Sequence, residues 1–118
     1  MTGRIVSAQE ALESGLVNQL CTPESLLLAA YELAKQIIEN TAPVSIALTR
    51  QLLWKGLGLN HPMDAHLLKS HGVSTRGKSA DAEEGTQSFL EKRPARFPMT
   101  VSEDMPAFYP WWQKREYK

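Results

Sequence analysis

Three histidines, His61, His66 and His71, stand five residues apart. On a helix each such step turns about 140°, so the imidazoles fan around the axis. Metal ligands need one face, at i and i+4. The spacing reads as solvated or partly packed imidazoles, and no metal is expected. Asp64, His71 and Ser74 supply the residue types of a nucleophilic triad. Asp64 and His71, however, lie about 10 Å apart along a rigid helix axis, and successive triad members must be in hydrogen-bond contact. No catalytic residue is assigned to them.

Asp81, Glu83 and Glu84 form an acidic cluster. Paired carboxylates do general acid–base work when burial separates their pKa values. Here they fall in the first turn of an expected helix, where acidic side chains stabilise the N-terminus in any case. At its other end stand Lys92 and Arg93, with Arg96 nearby and Phe89 and Phe97 alongside. This basic group could hold a phosphate while an aromatic ring lines an apolar groove. On composition alone it is a set of cations favourably placed at a helix C-terminus. Trp111, Trp112, Gln113, Lys114 and Arg115 mix aromatics with bases, as single-strand nucleic-acid binders and membrane-surface segments do. The chain carries 13 basic and 13 acidic residues, and such binding needs a basic excess. A tail folded onto an apolar groove is the expectation, with no nucleic acid as partner.

At 118 residues, with 42% hydrophobic and 22% charged residues, the composition fits one soluble globular domain or part of one. Cys21 is the single cysteine. No disulfide framework is possible within the chain, and Cys21 reads as a small buried hydrophobe. No apolar run reaches membrane-spanning length, and Met1–Arg4 has no apolar signal core. The localisation expected is cytoplasmic.

Helical signals dominate the elements that must position these residues. Ser7 and Glu10 fit a capping box, and Gly15 stops that helix. Leu16, Val17 and Leu20 follow as a short extended apolar piece. Thr22 and Pro23 open a second helix with Leu26, Ala30, Leu33, Ala34 and Ile37 at helical spacing, ending near Asn40. Pro43 opens a third, carrying Val44, Ala47, Leu48 and Leu52 and ending at Gly56 and Gly58. His61 and Pro62 begin a fourth, with Met63, Leu67, Ser70 and Val73 on one side. Ser79 caps a fifth, from Ala80 to about Arg93. Gly85 inside it costs about 1 kcal/mol relative to alanine, which points to close helix packing there. Pro94 and Pro98 end regular structure, and Phe108, Tyr109, Trp111 and Trp112 make the tail densely aromatic. Strand signals are nearly absent, so the fold class is mainly α. The Leu16–Leu20 piece and the aromatic tail both call for contacts outside the chain.

In order, these signals resemble the enoyl-CoA hydratase/isomerase (crotonase) family. Thr2 to Val17 is similar to its T-G-x-x-[IV]-x-A-x-x-A-x-x-x-G-L-V pattern, and Ala34 to Pro43 to its L-A-x-x-I-x-x-x-x-P segment. Ser79 to Gly85 and Phe89 to Pro94 resemble the closing S-x-D-x-x-E-G and F-x-E-K-R motifs. The resemblance implies the helical C-terminal region of such an enzyme, following a spiral of ββα turns that holds an oxyanion hole and the proton-transferring acids. The catalytic half is expected on polypeptide preceding these residues, so the chain alone is expected to be inactive. The parent is expected to be a hydratase or isomerase acting on acyl-CoA, with the coenzyme A thioester as substrate and no further cofactor. The resemblance implies that Phe89 lines the acyl or pantetheine pocket, that Lys92 approaches the CoA phosphates, and that the region builds a trimer or hexamer. Val73 and the Gln87-Ser88 pair depart from the family pattern, and the tail runs longer than is usual. The implied organisation is a remnant of the spiral edge over 1–21, an oligomerisation and acyl-CoA-lining region over 22–97, and the aromatic tail over 98–118. A stand-alone helical interaction module is the alternative.

Overall fold

The computed structural model describes residues 3–113 and 116. Met1, Thr2, Lys114 and Arg115, which entered the motif readings above, lie outside the described residues. Five helices follow one another: α1 (Ala8–Glu13), α2 (Leu26–Ile38), α3 (Pro43–Gly56), α4 (Pro62–Arg76) and α5 (Ala80–Glu91). No strand occurs among the described residues, so the mainly α expectation holds. The chain divides after Ile37 into two compact units.

In the first unit, Ser7 caps α1 by accepting the Glu10 N–H at 3.2 Å. Only half of the expected capping box forms, because the Glu10 carboxylate pairs with the Arg4 guanidinium instead. At the other end, the Gly15 N–H reaches the Leu12 carbonyl and the Leu16 N–H the Ala11 carbonyl. Gly15 takes φ +74°. This is the Schellman turn, whose third position favours glycine because a Cβ strains it. Leu16, Val17 and Leu20 run irregularly and stay exposed. Thr22 and Ser25 bond reciprocally before α2, which begins at Leu26, later than Pro23. The apolar residues of α2 remain exposed, Leu33 and Ile37 with Leu27, Tyr31 and Ile38.

The second unit is built on α3 and α4, which pack together. Pro43 occupies the first turn of α3, where its missing N–H costs nothing. Val44 is fully buried and Leu48 nearly so, one helical turn apart on the expected face. They are the only buried large hydrophobics among the described residues, each contributing about 1.5–3 kcal/mol on burial. His61 caps α4 through Nδ1, which accepts the Met63 N–H at 3.0 Å. The inward face of α4 is Ala65, Leu68, Gly72 and Arg76. Met63, Leu67 and Val73 lie on the exposed side. Their spacing was right for a helix, but the half-buried stripe runs through the other side.

Between α4 and α5 the decisive contact is ionic. Arg76 donates from Nη2 to Asp81 Oδ2 at 3.2 Å, with side-chain exposures of 12% and 3%. The Met99 N–H donates to the other Asp81 oxygen at 3.1 Å. One carboxylate therefore joins the end of α4, the start of α5 and the chain beyond Pro98. Gly85 faces the Phe97 ring: an added Cβ would lie 3.6 Å from Phe97 Cε1. The close neighbour is thus an aromatic ring of the returning chain, not a helix. The tail then runs back to α3 and α4. Phe108 stacks on His71 with centroids 4.9 Å apart, and the Lys55 Nζ sits 4.7 Å over the Trp112 ring. The expected tail-on-groove arrangement is present.

Removing one member of a buried pair strands the other's charge, at a cost of about 3–5 kcal/mol. Arg76 has little in reserve, since its Nε is already buried without a partner. Asp81→Asn should therefore lower the unfolding free energy in urea by about 3 kcal/mol, whereas the exposed Glu103→Gln should change it by no more than about 0.5 kcal/mol.

Candidate functional site at the end of the fifth helix

Ser79 starts α5 by accepting the Ala82 N–H at 3.3 Å, while its own hydroxyl donates to the Arg76 carbonyl. This fixes the helix phase. Asp81 and Ser88 face inward, seven residues apart and so on one stripe. Phe89 and Leu90 then point away from the packed side, 81% and 73% exposed. Two adjacent large apolar side chains face outward at the last turn of a helix otherwise rich in polar residues.

The helix ends at Glu91, two residues earlier than the sequence suggested. The Lys92 N–H donates to the Phe89 carbonyl and the Arg93 N–H to the Ser88 carbonyl. These bonds repeat the Schellman turn of α1, but with Lys92 at the position Gly15 holds there. Lys92 sits at φ 54° and ψ 41°, a left-handed conformation that side-chain-bearing residues adopt at a cost. No ion pair engages its side chain among the described residues.

Arg93 does not act as a free cation of this group. Its Nη1 and Nη2 grip the Glu84 carboxylate at 2.6 and 2.9 Å. Its Nε reaches Glu91 at 2.6 Å. The Arg96 N–H also donates to Glu84, at 2.6 Å. The Arg93 guanidinium and this backbone N–H together hold the Glu84 carboxyl down to about 2. Glu84 and Glu91 in turn raise the Arg93 pKa above its already high ordinary value. Of the three expected basic residues, Arg93 is a structural clamp. Lys92 and Arg96 are the cations left exposed. The acidic cluster is likewise dispersed: Asp81 faces the α4 pair, Glu84 the clamp, and Glu83 is exposed.

The other sequence candidates do not converge. His61 is spent on its cap and His71 on its stack with Phe108. No group of three His, Cys, Asp or Glu side chains suited to a metal occurs among the described residues. Cys21 is a half-buried free thiol. The clamp escaped the sequence reading because Glu84 and Arg93 are nine residues apart and meet only after the chain turns at Lys92. A lysine standing where the first helix carries glycine was the available signal.

The order of the helices and motifs finds matches among known proteins. The sequence profile described as "Enoyl-CoA hydratase/isomerase" matches residues 1–99. The chain belongs to that family. It is 42% identical over 103 residues to an enoyl-CoA hydratase of Alternaria alternata, spanning 86% of this chain and 34% of that protein. It is 40% identical over 99 residues to a putative enoyl-CoA hydratase of Thermus thermophilus, spanning 82% and 38%. Among solved structures, a probable enoyl-CoA hydratase/isomerase from Mycobacterium abscessus superposes with a TM-score of 0.74 at 35% identity, covering 84% of this chain and 39% of that one. The chain thus spans little more than a third of the length of these relatives.

The sign of the Glu84 linkage follows from its lowered pKa. The clamp's stabilisation is complete above the ordinary carboxylate value of 4.5 and is lost as pH falls towards about 2. A carboxyl-detected NMR titration should place Glu84 near the lower value. Arg93→Met should return it towards 4.5, with the amides of Lys92 and Arg96 broadening at higher pH than in the parent.

Proposed function

We propose that this chain is the C-terminal portion of an acyl-CoA-processing enzyme of the hydratase/isomerase type, in which it contributes subunit assembly and the lining of a CoA-thioester pocket. Within that reading, Phe89 provides apolar surface to the acyl or pantetheine part and Lys92 attracts the CoA phosphates. Hydration or isomerisation itself falls to residues outside this chain.

The observation that carries the reading is the turn at Lys92. A left-handed residue costs folding energy, and α1 of the same chain avoids that cost with Gly15. Lysine retained in such a conformation, its ammonium in no ion pair among the described residues and its backbone bonded to that of the exposed Phe89, supports a role for the side chain beyond folding. A phosphate is the natural complement of a lysine presented as a point charge, and the neighbouring apolar pair suits the uncharged arm of the same ligand. The exposed apolar faces support assembly, because contiguous apolar surface on a soluble protein commonly marks an interaction site.

Lys92→Gly separates the two roles of that residue. It should raise the unfolding free energy by about 1 kcal/mol by relieving the left-handed strain, and at low salt it should weaken CoA binding measured by calorimetry. Phe89→Ala should weaken crotonyl-CoA more than free CoA. Unchanged CoA affinity in Lys92→Gly would remove Lys92 from the site. Hydration of crotonyl-CoA by the purified chain at an enzymatic rate would contradict the assignment of catalysis to other residues.

A further inference from the structure

The helices α3 and α4 and the tail line a half-open cavity of about 180 Å³ whose walls include neither Phe89 nor Lys92. Leu48 and Leu52 line it from α3, Leu68 and Gly72 from α4, and Phe108 and Trp111 from the tail. The family profile ends at residue 99, so the aromatic side of the cavity lies beyond the matched region. That side is anchored at two points. Phe108 stacks on His71, and Trp112, edge-on to Trp111 at 5.1 Å, lies under the Lys55 ammonium.

The charged residues lining the cavity are of one sign. Arg76 and Lys69 contribute to it, and no carboxylate does among the described residues. Arg76 spends Nη2 on Asp81 and on the Met99 sulfur, and its Nε is sealed from solvent. Nη1 makes no hydrogen bond among the described residues and is not among the buried unpartnered atoms. It therefore remains a reachable donor. Lys69 is exposed and adds a second positive charge.

We infer that this cavity is a binding site for a small monocarboxylate with a flat or short apolar body, of the size of benzoate or a short fatty acid. An enclosed cavity of about 150 Å³ admits benzene, so this half-open one has room for a ring or short chain, with its head group at the open side. Leucine and aromatic walls suit the body, and a few placed polar groups fix orientation in such pockets. Here those groups are an arginine donor and a lysine charge, which select an anion over a neutral acceptor.

The test is an amide NMR titration of the chain with sodium benzoate, using benzyl alcohol as the neutral counterpart. Benzoate should give saturable shifts at Leu48, Leu68 and Gly72, with affinity roughly tenfold above that of benzyl alcohol at low salt. Gly72→Leu should abolish the shifts by filling the cavity, since a Cβ there meets nothing within 4 Å. Should circular dichroism show that variant unfolded, the exposed Lys69→Glu decides instead. It should weaken benzoate about tenfold and leave benzyl alcohol unchanged. The inference is overturned by an absence of saturable benzoate shifts, by their persistence in folded Gly72→Leu, by equal binding of benzoate and benzyl alcohol, or by benzoate affinity unmoved in Lys69→Glu.

Discussion

The buried pair of Arg76 and Asp81 is the constraint on which the second unit depends. Asp81 accepts from the last turn of α4 with one oxygen and from the Met99 backbone with the other. A carboxylate that is 3% exposed has little water to satisfy it, so both contacts must form together. Their joint geometry sets the corner between α4 and α5 and returns the chain alongside α5. That return brings Phe97 against Gly85 and directs the aromatic tail towards α3 and α4. The tail-lined cavity follows that return, while the Ser79 cap at the same corner sets the phase that leaves the end of α5 exposed.

A second constraint is the shortage of apolar burial. Only Val44 and Leu48 leave water almost completely among the large hydrophobics described, while Leu27, Tyr31, Ile38, Phe89 and Leu90 remain exposed. Polar fasteners carry much of the local order instead. They include the caps at Ser7, His61 and Ser79 and the Glu84–Arg93 clamp. Such fasteners fix turns and helix phases, but they do not remove apolar surface from water. In the proposed reading, that surface is covered by other polypeptide of the assembled enzyme.

Much of the helical frame was legible in the sequence because its signals are local. Ser7, Pro43, Pro62 and Ser79 begin helices, Gly15 ends one, and the spacing of Val44 and Leu48 gives the inward face of α3. The inward face of α4 was not legible. Its apolar residues Met63, Leu67 and Val73 satisfy helical periodicity, but packing chose the stripe through Ala65, Leu68, Gly72 and Arg76. At the candidate site, the positions of Phe89 and Lys92 came from a family resemblance. The withdrawal of Arg93 into a clamp depended on a turn and on a partner nine residues away. The cavity joins residues from three segments, and no local pattern announces it.

The central claim is that the exposed apolar faces of this chain are built to be covered in an assembly. Sedimentation equilibrium from low to high micromolar concentration tests it most directly. The account predicts concentration-dependent self-association that weakens when a charge is placed on the exposed face of α2, as in Leu28→Glu. A clean monomer throughout that range, unaffected by the substitution and showing no binding of an apolar dye, would contradict it.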